Sequence, residues 1–421
     1  MLKIVYPTCC GIDVHKKFVV ATLAITNSEN VTTYQTKQFS TFTDDLLALA
    51  SWLKDNNCSE VCMESTGKYW IPIFNVLETS CHVLLANPKY IKAIPGKKTD
   101  KKDSIWIADL HKHGLVRDSL IHPKPIRDLK DVIRYRRKLV GMRSSEKNRV
   151  QNSLTVSNIM IASVVSDTFG KSSSAIINHM ISSPEDTDFD YESLLHKRLK
   201  SKTADIGRSL AHHTLSSTQA SKMSVAFKHY DYINECIDLM DETIEVLSSP
   251  FKCEIKRICT IPGIKELAAT TIISEIGIDM SKFDSSKHLC SWAGLTPQNN
   301  ESAGKKKSVR ISKAGSYLKP ILVQCALAAL KEKDSPFRAK YERIKRRRGH
   351  KRALIAIART MLTCIYHMLS KGEDFNHKLY LISVIKEPSV TPSAYQLNQA
   401  ILLLQKNGYT VNLSELTPTS T

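Results

Sequence analysis

Five side chains in this sequence have types and settings that suit phosphodiester chemistry. Asp13 closes the short apolar run that opens Thr8-Cys9-Cys10-Gly11-Ile12-Asp13-Val14-His15, which reads as a buried strand delivering a carboxylate to its edge. Glu64 ends a second apolar run. Asp100 and Asp103 stand three residues apart, so a helix beginning at residue 100 sets both on one face. Four hard carboxylates with no His or Cys among them suit Mg²⁺, or Mn²⁺, better than zinc. Two such ions about 4 Å apart sharpen an attacking oxygen and hold a leaving one. Taken singly, each carboxylate is an ordinary helix cap or surface charge, and Asp109, Asp128 and Asp131 lie nearby as decoys. The fifth group is Ser302, in Glu301-Ser302-Ala303-Gly304-Lys305-Lys306-Lys307. Its small neighbours leave the hydroxyl approachable, and Lys305, Lys306 and Lys307 can hold a phosphate beside it. No His or Asp close in sequence marks a hydrolase triad, so by itself this is a loop serine. His15 and Lys16, following the first Asp, read as phosphate-side or surface groups.

The elements that must position these groups follow from periodicity. Residues 17–26 and 31–40 read as strands, Phe42 to Leu53 as a helix starting near Thr43, and 59–64 as a strand ending on Glu64. A helix over 69–79, a strand over 81–86 and a helix over 103–113 complete the order βββαβαβα. With carboxylates ending the first and fourth strands, this order predicts an RNase H-like (RuvC-like) α/β domain over residues 1–124.

From Pro125 the character changes to long helices. Residues 127–149 hold nine Lys/Arg against three Asp/Glu beside an apolar stripe of Ile126, Leu129 and Ile133. Residues 171–222 read as short helices and connections. Met223, Ala226, Tyr230, Ile233, Ile237, Met240, Ile244 and Leu247 then alternate spacings of three and four, a coiled-coil seam for pairing between subunits or with the 126–160 helix. This predicts a helical coiled-coil middle over 125–250. A mostly helical domain over 251–372 follows, with a helix-hairpin-helix at Ile261-Pro262-Gly263-Ile264 and the serine, and then a tail over 373–421. Lys313 and the run Arg343 to Arg352, with Arg346, Arg347, Arg348 and Lys351, are candidate nucleic-acid contacts, although a solvated linker would carry the same charges.

Composition agrees with this. The 421 residues are 42% hydrophobic, which is globular rather than disordered, and 60 Lys+Arg against 41 Asp+Glu give +19. A polyanionic partner is the first expectation, a basic ribosomal or membrane-surface role the alternative. Eleven cysteines without paired C-x-x-C spacing fit a reducing compartment, and Cys58 with Cys62 is most simply core. No leader-like segment and no run approaching a membrane span stands out, so a cytoplasmic protein is expected.

Several blocks resemble one family. Gly11-Ile12-Asp13-Val14-His15-Lys16, Met63-Glu64-Ser65-Thr66-Gly67-Lys68-Tyr69-Trp70, Asn87-Pro88 and Lys98-Thr99-Asp100-Lys101-Lys102-Asp103 resemble, in order, the N-terminal signatures of the DEDD-type transposases of the insertion-sequence one-hundred-and-ten family, relatives of the Piv DNA invertases. Ile261 to Ile264, Phe283, Gly294-Leu295-Thr296-Pro297, Glu301 to Gly304, Ile311 to Gly315 and Gly349 to Ala353 are similar to its C-terminal domain. The resemblance implies a bacterial or archaeal, nucleoid-associated recombinase that binds Mg²⁺ through Asp13, Glu64, Asp100 and Asp103 and joins Ser302 covalently to DNA. It further implies a structured guide RNA, pairing with donor and target DNA, and homodimers assembling into tetramers with shared sites. Two residues depart from the pattern: Ser104 stands where Ala is frequent, and Ala303 separates Ser302 from Gly304 where Ser-Gly is frequent. A junction-resolving nuclease using water, a Piv-like invertase and a non-enzymatic coiled-coil scaffold are the competing readings.

Overall fold

A computed structural model of the chain describes residues 2–65, 67–91, 100–297, 300–302, 305–308, 310–378, 380 and 394–408. The chain divides into two compact units, residues 1–123 and 124–421.

The first unit runs β1 (Thr8–Val14), β2 (Phe18–Thr26), β3 (Thr32–Ser40), α1 (Thr43–Asp55), β4 (Glu60–Glu64), α2 (Trp70–Leu77), β5 (His82–Ala86), α3 (Pro88–Ile91) and α4 (Asp100–Lys112). Its five strands form one mixed sheet ordered β3-β2-β1-β4-β5. The β1–β2 and β2–β3 pairs are antiparallel, while β1–β4 and β4–β5 are parallel. This mixed sheet is consistent with the RNase H-like expectation. The β-branched runs of β1 and β2 are buried along nearly their whole length because helices cover both faces of the sheet. On one face Ile12, Val14, Val61 and Met63 pack with Leu49 and Leu53 of α1 and Ile73 and Leu77 of α2. On the other, Cys9, Ala24, Cys62 and Leu84 meet Ile107 and Ala108 of α4. Helix α1 begins at Thr43, where the sequence suggests its start, and Asp44 and Asp45 lie in its first turn. All eleven cysteines are free, with Cys58 and Cys62 in the core.

The second unit is mostly helical: α5 (Lys124–Val156), α6 (Ile161–Val164), α7 (Lys171–Ser182), α8 (Thr203–Leu210), α9 (Ser217–Ser248), α10 (Lys252–Cys259), α11 (Glu266–Ile276), α12 (Ser286–Trp292), β6 (Asn300–Ser302), β7 (Lys305–Ser308), α13 (Leu318–Lys331), α14 (Arg338–Arg348), α15 (His350–Lys371) and α16 (Ala394–Lys406). The α9 seam packs along α5 within the monomer. Arg136 pairs with Asp241, Arg143 with Asn234 and Glu146 with His229, so numbers fall along α9 as they rise along α5 and the pair is antiparallel. Seam residues Met223, Ala226, Ile237 and Ile244 are buried. Where the sequence resolves poorly, α6, α7 and α8 close a core of their own over the hairpin, Ile161, Ile176, Ile177 and Ile206 packing on Val150, Leu154 and Phe227.

The α10–α11 hairpin turns at Gly263, at φ 82°, and a Cβ there would lie 2.7 Å from Ala329 Cα. The glycine of this turn therefore serves the packing of α13. One described helix, α15, has the length and apolarity of a membrane span. Its buried residues, among them Leu354, Ile357, Met361 and Ile365, make it a core helix of this unit.

Candidate metal centre and serine hairpin

Parallel register brings two carboxylates level. Ile12 pairs with Met63, so Asp13 and Glu64, one residue further along, end adjacent strands side by side. Strand alternation turns both away from the core face that Ile12 and Met63 occupy and toward the α4 face. The carboxyl edge of neighbouring parallel strands is where α/β sheets open a crevice.

Gly11 decides where α4 lies. A Cβ at this position would sit 2.8 Å from Ala108 Cα and closer still to Ala108 N and Ser104 O, so only the absence of a side chain lets the helix backbone rest on β1. Ser104 is fully buried, and its hydroxyl shares a 2.7 Å hydrogen bond with Thr22 on β2 and donates to Lys101 O at 3.0 Å. The side chain that departs from the family pattern thus ties α4 to the sheet. Helix α4 opens on Asp100, and its first turn carries both Asp100 and Asp103, where carboxylates also complement the helix dipole.

These constraints converge at the end of β1. Ligand atoms of Asp13, His15 and Asp100 all lie within 4.8 Å of one another. His15 Nε2 is 3.2 Å from Asp13 Oδ2 and 3.5 Å from Asp100 Oδ1. Burial pushes the Asp13 carboxyl above its ordinary range; His15 opposes the shift, and the negative charges of Asp103 and Asp100 add to it. A divalent cation would remove both the repulsion and the desolvation cost, so the donor set fits such an ion. A polar groove of about 400 Å³, lined by Val20, Thr36, Gln38, Asp100 and Lys101, opens beside the cluster. Asp109, by contrast, is engaged by Lys112 at 2.8 Å and Tyr34 at 2.5 Å, and Asp128 by Lys124 at 2.9 Å. Those two decoys are structural.

His15 is the residue that sequence reasoning set aside. It lies two positions beyond Asp13, and residues two apart on a strand share a face, so alternation already carried the signal. A tight β1–β2 turn holds it: Val14 pairs with Val19, His15 N donates to Phe18 O at 3.0 Å, and the imidazole lies against the Phe18 ring at 4.7 Å.

In the second unit, β6 and β7 form an antiparallel hairpin in which Ser302 pairs with Lys305. The side chains of Ser302, Lys305, Lys306 and Lys307 lie outside the described residues. The flanking segments are fastened by a Pro297–Ile311 bridge and by two glycines. Gly294 and Gly315 have φ near 67° and 65°, and a Cβ on either would strike the other segment's backbone, at Ala314 and Ala293. Lys319 Nζ donates to Ser312 O at 2.7 Å. Arg134 and Arg137 of α5 stack on Tyr317 at 4.3 and 5.1 Å, and Arg134 donates twice to the buried Glu275 of α11, at 2.7 and 2.8 Å. These contacts tie the segments flanking the serine hairpin to one another and to α5. Lys313, Arg346, Arg347, Arg348 and Lys351 are exposed, the last four flanking Gly349 at the α14–α15 junction.

Known proteins match both halves of this arrangement. A family profile described as Transposase, of the DEDD type, matches residues 10–159, and one described as Transposase IS116/IS110/IS902 family matches residues 255–342. The pilin gene-inverting protein of Moraxella bovis is 23% identical over 388 residues, 89% of this chain and 99% of that protein. The putative transposase y4pF/y4sB of Sinorhizobium fredii is 26% identical over 144 residues, 33% of this chain. The pilin gene-inverting protein of Moraxella lacunata is 29% identical over 127 residues, 29% of this chain. These last two alignments span only 37% and 39% of the relatives' own lengths. With the DEDD profile lying over the carboxylate cluster and the second profile over the serine hairpin, the chain belongs to the IS110 family of transposases.

Proposed function

We propose that this transposase cuts and rejoins DNA by transesterification at Ser302, with divalent cations, Mg²⁺ in the first instance, held by Asp13, Glu64, Asp100 and Asp103. The observation that carries the reading is the convergence of acidic ligands at the end of β1, with Asp13 desolvated among like charges. When bound, the ions supply Lewis-acid stabilisation of the charge that builds on the phosphate oxygens. The chain's own groups do the rest. Ser302 Oγ attacks phosphorus and the P–O3′ bond breaks, so the 5′ phosphate remains on the serine and a 3′ hydroxyl is released. The 3′ hydroxyl of a second strand then attacks the phosphoserine and frees the serine. Water in place of Ser302 would release the bond's energy, whereas the ester conserves it for rejoining without ATP. Exposed Lys313, Arg346, Arg347, Arg348 and Lys351 bind backbone phosphate.

The DNA is selected by a structured RNA paired to donor and target, and the active assembly is a homodimer that doubles to a tetramer. Exposed Val225, Tyr232, Leu239 and Val246 recur every seven residues on α9, and Tyr135 and Met142 do so on α5, which supports helix pairing between protomers. Alignment with the pilin gene-inverting protein of Moraxella bovis over 89% of the chain favours site-specific inversion as the second reading of the same chemistry.

The test is a recombination assay with full-length protein, DNA and RNA transcribed from the sequence flanking the gene. Ser302→Ala should abolish a covalent protein–DNA adduct while DNA and RNA binding persist. Free cleaved ends with no adduct from the unmodified protein would mean that water is the nucleophile. Asp13→Asn should abolish strand exchange at every Mg²⁺ concentration, and recombination without RNA would reject the guide.

A further inference from the structure

We infer that His15 is a nitrogen ligand of the metal centre, which raises the affinity of the site for Mn²⁺ more than for Mg²⁺. The inference rests on the reading of Asp13 and Asp100 as metal ligands. Three observations carry it. His15 Nε2 is withdrawn from water and faces two carboxylate oxygens, Asp13 Oδ2 at 3.2 Å and Asp100 Oδ1 at 3.5 Å, so the nitrogen is committed to this cluster. The ring is also aimed by the fold, since the two-residue β1–β2 turn and the Phe18 ring hold it facing the carboxylates.

The spacing completes the argument. Donors bound at about 2.1 Å to one octahedral ion are separated by about 3 Å when adjacent and about 4 Å when opposite. His15 Nε2 stands in that range of both Asp13 Oδ2 and Asp100 Oδ1, and one ligand atom from each of the three residues lies within 4.8 Å of the others. An ion seated among them takes two oxygens and one nitrogen from the protein and completes its shell with Asp103, Glu64, water or a DNA phosphate. An all-carboxylate set favours Mg²⁺, whereas replacing one oxygen by imidazole raises affinity for Mn²⁺ and Co²⁺ more than for Mg²⁺. Lys16 and Lys17 follow His15 in the turn and are exposed.

The experiment is metal binding to the full-length protein without DNA. Mn²⁺ and Mg²⁺ titrations would be run on wild type, His15→Ala, His15→Gln and Asp13→Asn, with pulsed electron paramagnetic resonance of the Mn²⁺ complex to detect coupling to an imidazole nitrogen. Wild type should show that coupling and both His15 variants should lose it. Their Mn²⁺ affinity should fall roughly tenfold or more, with Mg²⁺ affinity changed by less than about threefold. Absence of nitrogen coupling in wild type, its persistence in both variants, or equal losses for the two metals would overturn the inference. Unaltered metal binding by Asp13→Asn would instead reject the carboxylate reading on which it rests. Comparing melting temperatures of the variants in chelator separates a lost ligand from a lost fold.

Discussion

Replacing Gly11 by Ala adds a single methyl group on β1 and should disable a metal site that it does not touch. The new Cβ would lie 2.8 Å from Ala108 Cα, against an ordinary contact beginning at 3.4 Å, and the three nearest atoms it meets are helix backbone, of Ala108 and Ser104, rather than a yielding side chain. Helix α4 must therefore back away from β1 by about 1 Å, taking Asp100 and Asp103 with it while Asp13 stays on the strand. Overpacking of this kind costs about 1–3 kcal/mol of stability. The larger effect falls on the ion, because disturbing the groups that orient a metal's ligands costs about 10–100-fold in affinity. At a Mn²⁺ concentration near 100 times the wild-type Kd, wild type gains about 2.7 kcal/mol on binding; a variant weakened a hundredfold gains about 0.4 kcal/mol. Urea unfolding with and without the ion reads both quantities. The control is Gly141→Ala on α5, where a Cβ meets nothing within 4 Å; it should stabilise by about 0.5–1 kcal/mol with metal response intact. If Gly11→Ala kept wild-type stability and the full metal gain, the claim that this glycine sets the distance between strand and helix carboxylates would be wrong.

Two further outcomes follow from buried polar groups. Burial pushes the His111 imidazole down to about 4, with Glu60 opposing and His82 adding to the shift, so the native state resists a proton that the unfolded chain accepts near 6.5. Its contribution is complete above pH 6.5 and is lost as pH falls toward 4, by about 3 kcal/mol. His111→Phe, which keeps a ring against Tyr6, should lose correspondingly less stability between pH 7.5 and 4 in urea unfolding, and an unchanged pH profile would contradict this. Glu275 is 4% exposed and accepts from Arg134 while Lys130 lies 3.5 Å away, so Glu275→Gln leaves two cations short of their partner. We expect a loss of about 3 kcal/mol in chemical denaturation, and a change below about 1 kcal/mol would show that α5 and α11 are not joined through this carboxylate.

Much of the first unit is legible in the sequence because its central strands β1, β2 and β4 are buried apolar runs bounded by polar turns. Runs such as Phe18-Val19-Val20-Ala21 and Val61-Cys62-Met63 announce themselves, and carboxylates ending β1 and β4 have few roles in a buried sheet. The α9 seam is equally plain, because a heptad repeat is a local property, but its partner is not. An apolar stripe fits any complementary stripe, and only the pairings of Arg136 with Asp241 and Arg143 with Asn234 choose α5. Residues 171–222 are opaque for a related reason. Their helices are short and serine-rich, and they are held by a core assembled from distant residues such as Val150 and Phe227 rather than by their own propensity.

By itself the sequence determined the residue types at the site and the strands that carry Asp13 and Glu64, but it began α4 at residue 103, three residues after the helix actually opens on Asp100. Tertiary structure alone decided that Gly11 would serve as the floor on which α4 rests, that Ser104 would be anchored to Thr22, and that His15 would turn inward among the carboxylates. The physical reason is that periodicity reports which face of an element is buried, while the distance between two faces is set by what packs between them. A missing side chain at one residue on β1 closes that distance, and no pattern local to either element records it.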